Sequence, residues 1–266
     1  MPEHNVTKII LCRDAGHLAA TAAQEFTRLA VAAVSNKGLF SVALSGGSTP
    51  KATFELLATE PLFSRIPWPS VHLFWSDERT VPPDHRDSNY RMAYEAMISR
   101  VPLPAANVHR MKGEIDPEIA ATQYASELDA HFDTAIPRFD LIMLGMGDDG
   151  HTASLFPGTK ALSEADASVV VNYVSKFSTN RLTFSVQTIN NAACVMFLIS
   201  GSAKVPALKE VIEGTRNPQL YPSQLIHPAN GDLEYLIDRD AAARLEIARA
   251  ALSEPPSDRP IEIKLV

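Results

Sequence analysis

The chain has 266 residues, 24 basic and 31 acidic, for a formal net charge of −7. Its 45% apolar and 21% charged content is that of an ordinary globular protein, able to bury a large core without disulfide or metal staples. The acidic balance, with no basic cluster, excludes nucleic acid as an expected partner, and no apolar run approaches the ~18 residues of a membrane span.

The opening Met1-Pro2-Glu3-His4 lacks the basic-then-apolar layout of a signal peptide, so a cytoplasmic location is expected. Lys8–Cys12 reads as a strand. Leu18, Ala22, Phe26, Leu29, Ala30, Ala33 and Val34 then step by three and four, which predicts an amphipathic helix. Phe40–Leu44 is a second strand, with a helix opening near Pro50, and Val71–Trp75 a third, with a helix over Asn89–Ile98. A helix over Pro117–Phe132 precedes a strand at Phe139–Leu144. Val169–Val174, Leu182–Ser185 and Cys194–Ile199 are further strands, and Ala203–Ile212 a helix. Leu233–Ile237 is a strand, while Ala241, Leu245, Ala248 and Leu252 mark a last helix. Pro255–Pro260 is a spacer before a β-like tail, Ile261–Val266. The two cysteines, Cys12 and Cys194, lie in apolar runs and are expected as reduced core thiols. This alternation predicts an α/β fold, one domain over residues 1–266, on a mostly parallel sheet with helices on both faces.

In open α/β sheets the ligand sits beyond the carboxyl ends of the strands. Four apolar runs end there in loops of unusual composition: Ser45-Gly46-Gly47-Ser48-Thr49-Pro50, Ser76-Asp77-Glu78-Arg79, Gly145-Met146-Gly147-Asp148-Asp149-Gly150-His151 and Ser200-Gly201-Ser202-Ala203-Lys204. Glycine concentrates in these loops, as backbone that turns sharply or approaches a ligand requires. The first feeds a helix N-terminus, where free N–H groups and the helix dipole favour an anion. A P-loop is excluded by spacing, and the Ser48-Thr49-Pro50-Lys51 match to the β-lactamase SxxK has no KTG to complete it. The third loop matches GxGxxG, but Asp148 and Asp149 would repel a pyrophosphate, and no acidic residue ends a strand about 20 residues on, which excludes a dinucleotide.

That loop instead offers two carboxylates and an imidazole within four residues, the elements of a proton shuttle with an orienting partner. No second histidine at helical spacing completes a zinc set, so no metal is expected. Of eight histidines only His151 lies in a glycine-rich strand-end loop. His72 reads as a packed or surface strand residue, and His4, His17, His85, His109, His131 and His227 have no supporting constellation. Arg79, Arg181 and Lys204 are the cations placed to hold a phosphate.

The blocks SGGSTP, SDERTVPPDHRDSNYRM, GMGDDGHTASLFPGT and SGSAK, with the stretch from Leu225 to Asp238, resemble the signature segments of the 6-phosphogluconolactonases, in order and over nearly the whole chain. The resemblance implies a modified Rossmann-like α/β fold shared with the glucosamine-6-phosphate isomerases/deaminases. It also implies hydrolysis of 6-phospho-D-glucono-1,5-lactone in the oxidative pentose phosphate pathway, with no cofactor. By matching motif, His151 is the expected general base, supported by Asp149 and Asp148. Ser45, Gly46, Gly47, Ser48, Thr49, Asp77, Arg79, Arg181 and Lys204 are the expected binding set. Val205 and Tyr235 depart from the family's usual residues without touching that chemistry. The isomerases carry a glutamate where this chain has Phe156, and a tyrosine where it has Arg79, so deamination is not expected. The sequence leaves the oligomeric state open.

Overall fold

The computed structural model describes residues 6–134 and 136–265. The Met1–His4 segment read for a leader, and Val266 at the end of the predicted tail strand, lie outside the described residues. The chain runs β1 (Thr7–Cys12), α1 (Ala15–Lys37), β2 (Phe40–Leu44), α2 (Ser48–Leu57), α3 (Leu62–Arg65), β3 (Val71–Trp75), β4 (Asp77–Arg79), α4 (Asn89–Ala96) and α5 (Pro117–Phe132). It continues through β5 (Leu141–Gly145), β6 (Val169–Val174), β7 (Thr179–Phe184), α6 (Val186–Asn190), β8 (Cys194–Ile199), α7 (Val205–Glu213), β9 (Asp232–Asp238), α8 (Arg249–Ser253) and β10 (Ile261–Leu265). The long first helix is punctuated as its sequence dictates. Asp14 accepts the His17 N–H at its start, and Gly38 ends it at φ +85°, where a side chain would be strained.

Seven strands form one sheet in the order β10-β1-β9-β8-β5-β2-β3. All neighbours are parallel except β10, which runs antiparallel at the edge. Alternate residues of each central strand enter opposite cores. Val42, Leu44, Met143 and Met196 pack with Phe26 of α1 and Phe54 of α2. Ala43, Ile142, Leu144 and Phe197 face Leu128 of α5, Leu208 of α7 and Phe184 of β7. Both faces are therefore buried, which is why these strands read as continuous apolar runs. Cys12 and Cys194 are free thiols in the first of these cores, and burial raises both pKa values, that of Cys12 to about 11. No helix among the described residues is long and apolar enough to cross a membrane.

Two features differ from expectation. The segment Asp77–Arg79 is a strand, not a loop, and with β7 and β6 it makes a second, antiparallel sheet of three strands in the order β4-β7-β6. The predicted last helix is largely replaced by turns, leaving only α8 helical, although Ala241, Leu245 and Ala248 are buried as their spacing implied. Asp238 caps a first turn, accepting the Ala241 N–H on its carboxylate at 2.8 Å and the Ala242 N–H on its carbonyl at 3.0 Å. The Leu245 N–H then bonds three residues back to the Ala242 carbonyl, and the helical pattern breaks. The Arg239 guanidinium then takes the carbonyls of Leu252 and Glu254 at the far end.

Candidate active site

Strands β2, β3, β5 and β8 are neighbours or near-neighbours in the parallel sheet, so their carboxyl ends deliver four loops to one edge. A cleft of ≈ 210 Å³ opens there. The first loop contributes Ser45, Gly46 and Gly47, and β4 contributes Asp77 and Arg79. The third loop contributes Gly147 and His151, and the fourth Lys204. A larger cavity of ≈ 650 Å³ lies beside α7 and the start of β9, with no carboxylate among the described residues that line it. Chemistry converges on the smaller one.

His151 is held by its own loop. Its Nδ1 lies 2.5 Å from Asp149 Oδ1, and its backbone carbonyl accepts the Gly147 N–H at 2.8 Å. The ring stacks on buried Phe156, with centroids 4.0 Å apart. Burial raises the pKa of Asp149, but the hydrogen bond and charge of His151, with help from Lys176, outweigh it and hold the carboxyl far below its usual range. An ionised carboxylate can only accept, so Nδ1 carries a proton toward Asp149, which orients the ring and turns Nε2 to the other side. The loop admits no side chain at Gly147, where a Cβ would stand 2.0 Å from His151 Nδ1. It also leads into turns rather than a helix, so its GxGxxG spacing lacks the helix N-terminus that a dinucleotide site needs. Asp148 is not against the imidazole. It is exposed, 3.7 Å from Lys176 Nζ, which also reaches Asp149 Oδ2 at 3.2 Å.

The first loop is shaped by a residue that motif reading did not single out. A Cβ at Gly46 would stand 1.9 Å from Asn89 Oδ1. Asn89 opens α4, donates to the Asp77 carbonyl at 2.8 Å and lines the cleft. Glu78, almost fully buried, accepts the Asn89 and Tyr90 N–H groups and the Ser88 hydroxyl, fixing the start of that helix. Burial pushes the Glu78 pKa up, against the pull of those N–H groups. Asp77, also buried, accepts the Ser154 hydroxyl at 2.7 Å, tying the second loop to the third. Asn89, Glu78 and Ser154 were marked only as members of quoted blocks, with no role attached, and Lys176 lies outside every block that the sequence singled out.

Ser48 and Thr49 form the first turn of α2, and Gly47 is the residue that caps it, so they bring that helix N-terminus to the rim without lining the cleft. Arg181 stands directly across the β4–β7 ladder from Arg79. Burial first, then the Arg79 charge, lowers the Arg181 pKa. Both guanidinium Nε atoms are buried and find no partner among the described residues, as do Ser45 Oγ and Asn89 Oδ1. Asp77, Glu78 and Asp87 offset part of the repulsion between the two arginines, and the paired guanidinium groups remain a local concentration of positive charge suited to an anion.

The fold and site thus define an α/β protein with an oriented imidazole beside an anion-attracting cleft. The family described as glucosamine-6-phosphate isomerases/6-phosphogluconolactonase matches residues 13–235. The 6-phosphogluconolactonase of Synechocystis is 45% identical over 217 residues, covering 80% of this chain and 88% of that protein. That of Nostoc is 42% identical over 219 residues, covering 81% and 88%. The solved 6-phosphogluconolactonase from Trypanosoma cruzi superposes with a TM-score of 0.80 at 29% identity, covering 92% of this chain and all of that one. A monomeric glucosamine-6-phosphate deaminase, 21% identical with a TM-score of 0.75, shares the fold. The chain belongs to the glucosamine-6-phosphate isomerase/6-phosphogluconolactonase family.

Proposed function

We infer that this chain hydrolyses 6-phospho-D-glucono-1,5-lactone to 6-phospho-D-gluconate, a step of the oxidative pentose phosphate pathway, with His151 as general base. The observation that carries the reading is the His151–Asp149 pair at 2.5 Å on a cleft that also takes Arg79 and Lys204. Neutral Nε2 takes a proton from water as its oxygen attacks C1 of the lactone. Charge gathers on the former carbonyl oxygen and is met by positioned donors. The C1–ring-oxygen bond then breaks, and the imidazolium returns the proton to the leaving oxygen. Asp149 acts through the imidazole, fixing its tautomer and stabilising its charged form. No covalent enzyme intermediate is needed.

The phosphate is assigned to Arg79, Arg181 and Lys204, with the first-turn N–H groups of α2 at Ser48 and Thr49. Ser45, Gly46, Gly47 and Asp77 shape the part of the cleft that meets the sugar. Asp148 holds Lys176 toward Asp149, so its support of His151 is indirect. The whole chain is read as one domain, because residues of the small sheet and of the large sheet fill a common core. Isomerase chemistry is disfavoured by Phe156, an apolar ring stacked on the imidazole that cannot carry a proton.

Phosphate recognition provides the test. A hydrogen bond to a charged group contributes about 1.5–3 kcal/mol, so Lys204→Ala should lower kcat/KM for the phosphorylated lactone by roughly 10–10²-fold. Hydrolysis of unphosphorylated gluconolactone should barely change. Equal losses on both substrates would remove Lys204 from the phosphate site.

A further inference from the structure

Three imidazoles converge at the opposite end of the sheet from the cleft. His72 is the second residue of β3, His109 follows the bridge between Leu73 and Val108, and His131 sits in the last turn of α5. One ligand atom from each lies within 4.8 Å of the others, and all three side chains are half-buried, within reach of solvent. Nothing in the catalytic reading uses them. Their convergence corrects the sequence-based expectation that His72, His109 and His131 stand alone.

We propose that His72, His109 and His131 form a binding site for a divalent late first-row transition metal, zinc in the first instance. Imidazole nitrogen is a preferred donor for such ions, and tetrahedral zinc with bonds of ~2.0–2.1 Å sets its nitrogens about 3.4 Å apart. His72 Nδ1 and His109 Nε2 share a hydrogen bond at 3.1 Å, whose proton an ion would displace, and the third ligand atom lies within 4.8 Å of both, so binding draws the rings together. The surroundings are those of a ligand set rather than of incidental packing. Glu127 Oε1 lies 2.7 Å from His109 Nδ1, so an ionised carboxylate there takes the Nδ1–H and leaves Nε2 to coordinate. Phe74 stacks on the His109 ring at 4.2 Å and fixes its plane. Ser41 Oγ, 2.8 Å from His131 Nε2, steadies the His131 ring against β2. The carboxyl end of α5, where His131 lies, favours a cation. Lys37, the neighbouring positive charge, is paired with Asp140 at 2.9 Å. Solvent completes the coordination. A bound ion would pin the end of α5 to β3, which is the edge strand of the large sheet.

The test uses the full-length, metal-stripped protein titrated with Co²⁺, whose visible d–d absorption grows strongly in tetrahedral nitrogen sites, followed by displacement with Zn²⁺. One equivalent should bind, with a rise in Tm, and His151→Ala should bind equally well. His72→Gln and His109→Gln should each weaken binding at least tenfold, and Glu127→Gln by about tenfold, while metal-free lactone hydrolysis by these variants stays near that of the parent. Circular dichroism and that activity identify folded variants, and two independent ligand changes guard against one that fails to fold. No strong absorption, unchanged binding in both histidine variants, or binding abolished by His151→Ala would each overturn the site.

Discussion

Two imidazole–carboxylate pairs sit at opposite ends of one sheet. His151 meets Asp149 at 2.5 Å, and His109 meets Glu127 at 2.7 Å. In each, the carboxylate lies on Nδ1 and orients the ring. The difference is on the other side. His151 lines a cleft shared with Arg79 and Lys204, whereas His109 Nε2 faces a second imidazole, His72. The same pair is thus set up for proton transfer at one end and for donor clustering at the other. A histidine–carboxylate contact does not by itself make a base; what Nε2 can reach does.

The comparison breaks first at the imidazoles themselves. His151→Ala should lower kcat for the lactone by about 10²–10⁴-fold with little change in KM, the loss typical of a positioned general base. His109→Ala, which removes the equivalent ring at the other end, should leave kcat near that of the parent. Both rates are read after subtracting the spontaneous opening of the lactone in water. A folded His151→Ala protein with normal kcat would remove the assigned base.

A second variant tests geometry without removing any reacting group. In Gly147→Ala the new methyl would collide with Nδ1 and, at 2.7 Å, with Asp149 Oδ1. The ring must swing, and displacement of about 1 Å can cost roughly 10²-fold in rate. Near-normal turnover in that variant would show that the loop re-forms the pair without strain.

The smallest effect sharpens the other end. Burial first, then the charges of His72, His109 and Lys37, push the His131 pKa down to about 4, with Glu127 pulling the other way. The unfolded chain therefore binds a proton that the folded one refuses between about pH 6.5 and 4. Stability from this group is complete above about pH 6.5 and falls as pH is lowered through that window. His72 is shifted in the same direction, by burial and then by His109. His131→Gln should flatten the loss of stability across that interval, seen in urea midpoints at the two pH values. An unchanged slope would mean that the ring titrates alike in both states.

The sheet, its burial on both faces and the third loop were legible in sequence because their signals are local. Apolar runs mark strands such as Val42–Leu44, and Asp149 lies two residues from the histidine it orients. What escaped depends on pairing at a distance. Asp77–Arg79 is charged and only three residues long, and it becomes a strand because β7 lies beside it. Asn89 enters the site because Gly46 leaves room for it. The histidine trio comes from a strand, the chain after an isolated bridge and a helix end that only the fold brings together. The last predicted helix kept its buried face but lost its backbone path: Asp238 caps a first turn, yet the Leu245 N–H bonds only three residues back to the Ala242 carbonyl, and regular helix resumes only at α8.

Ser76 alone separates β3 from β4, and so one fully buried residue joins the two sheets. Its N–H and hydroxyl donate to the Leu44 carbonyl at 2.8 and 3.1 Å, and its own carbonyl accepts the Phe184 N–H at 2.8 Å. Such a seam has no slack. Arg79 and Arg181 ride on the small sheet, while His151 follows a strand of the large one, so the hydrogen bonds of Ser76 tie the two parts together at this junction. The two sides of the site are thus joined through backbone hydrogen bonds at a single buried residue, the kind of built-in alignment that preorganised donors need.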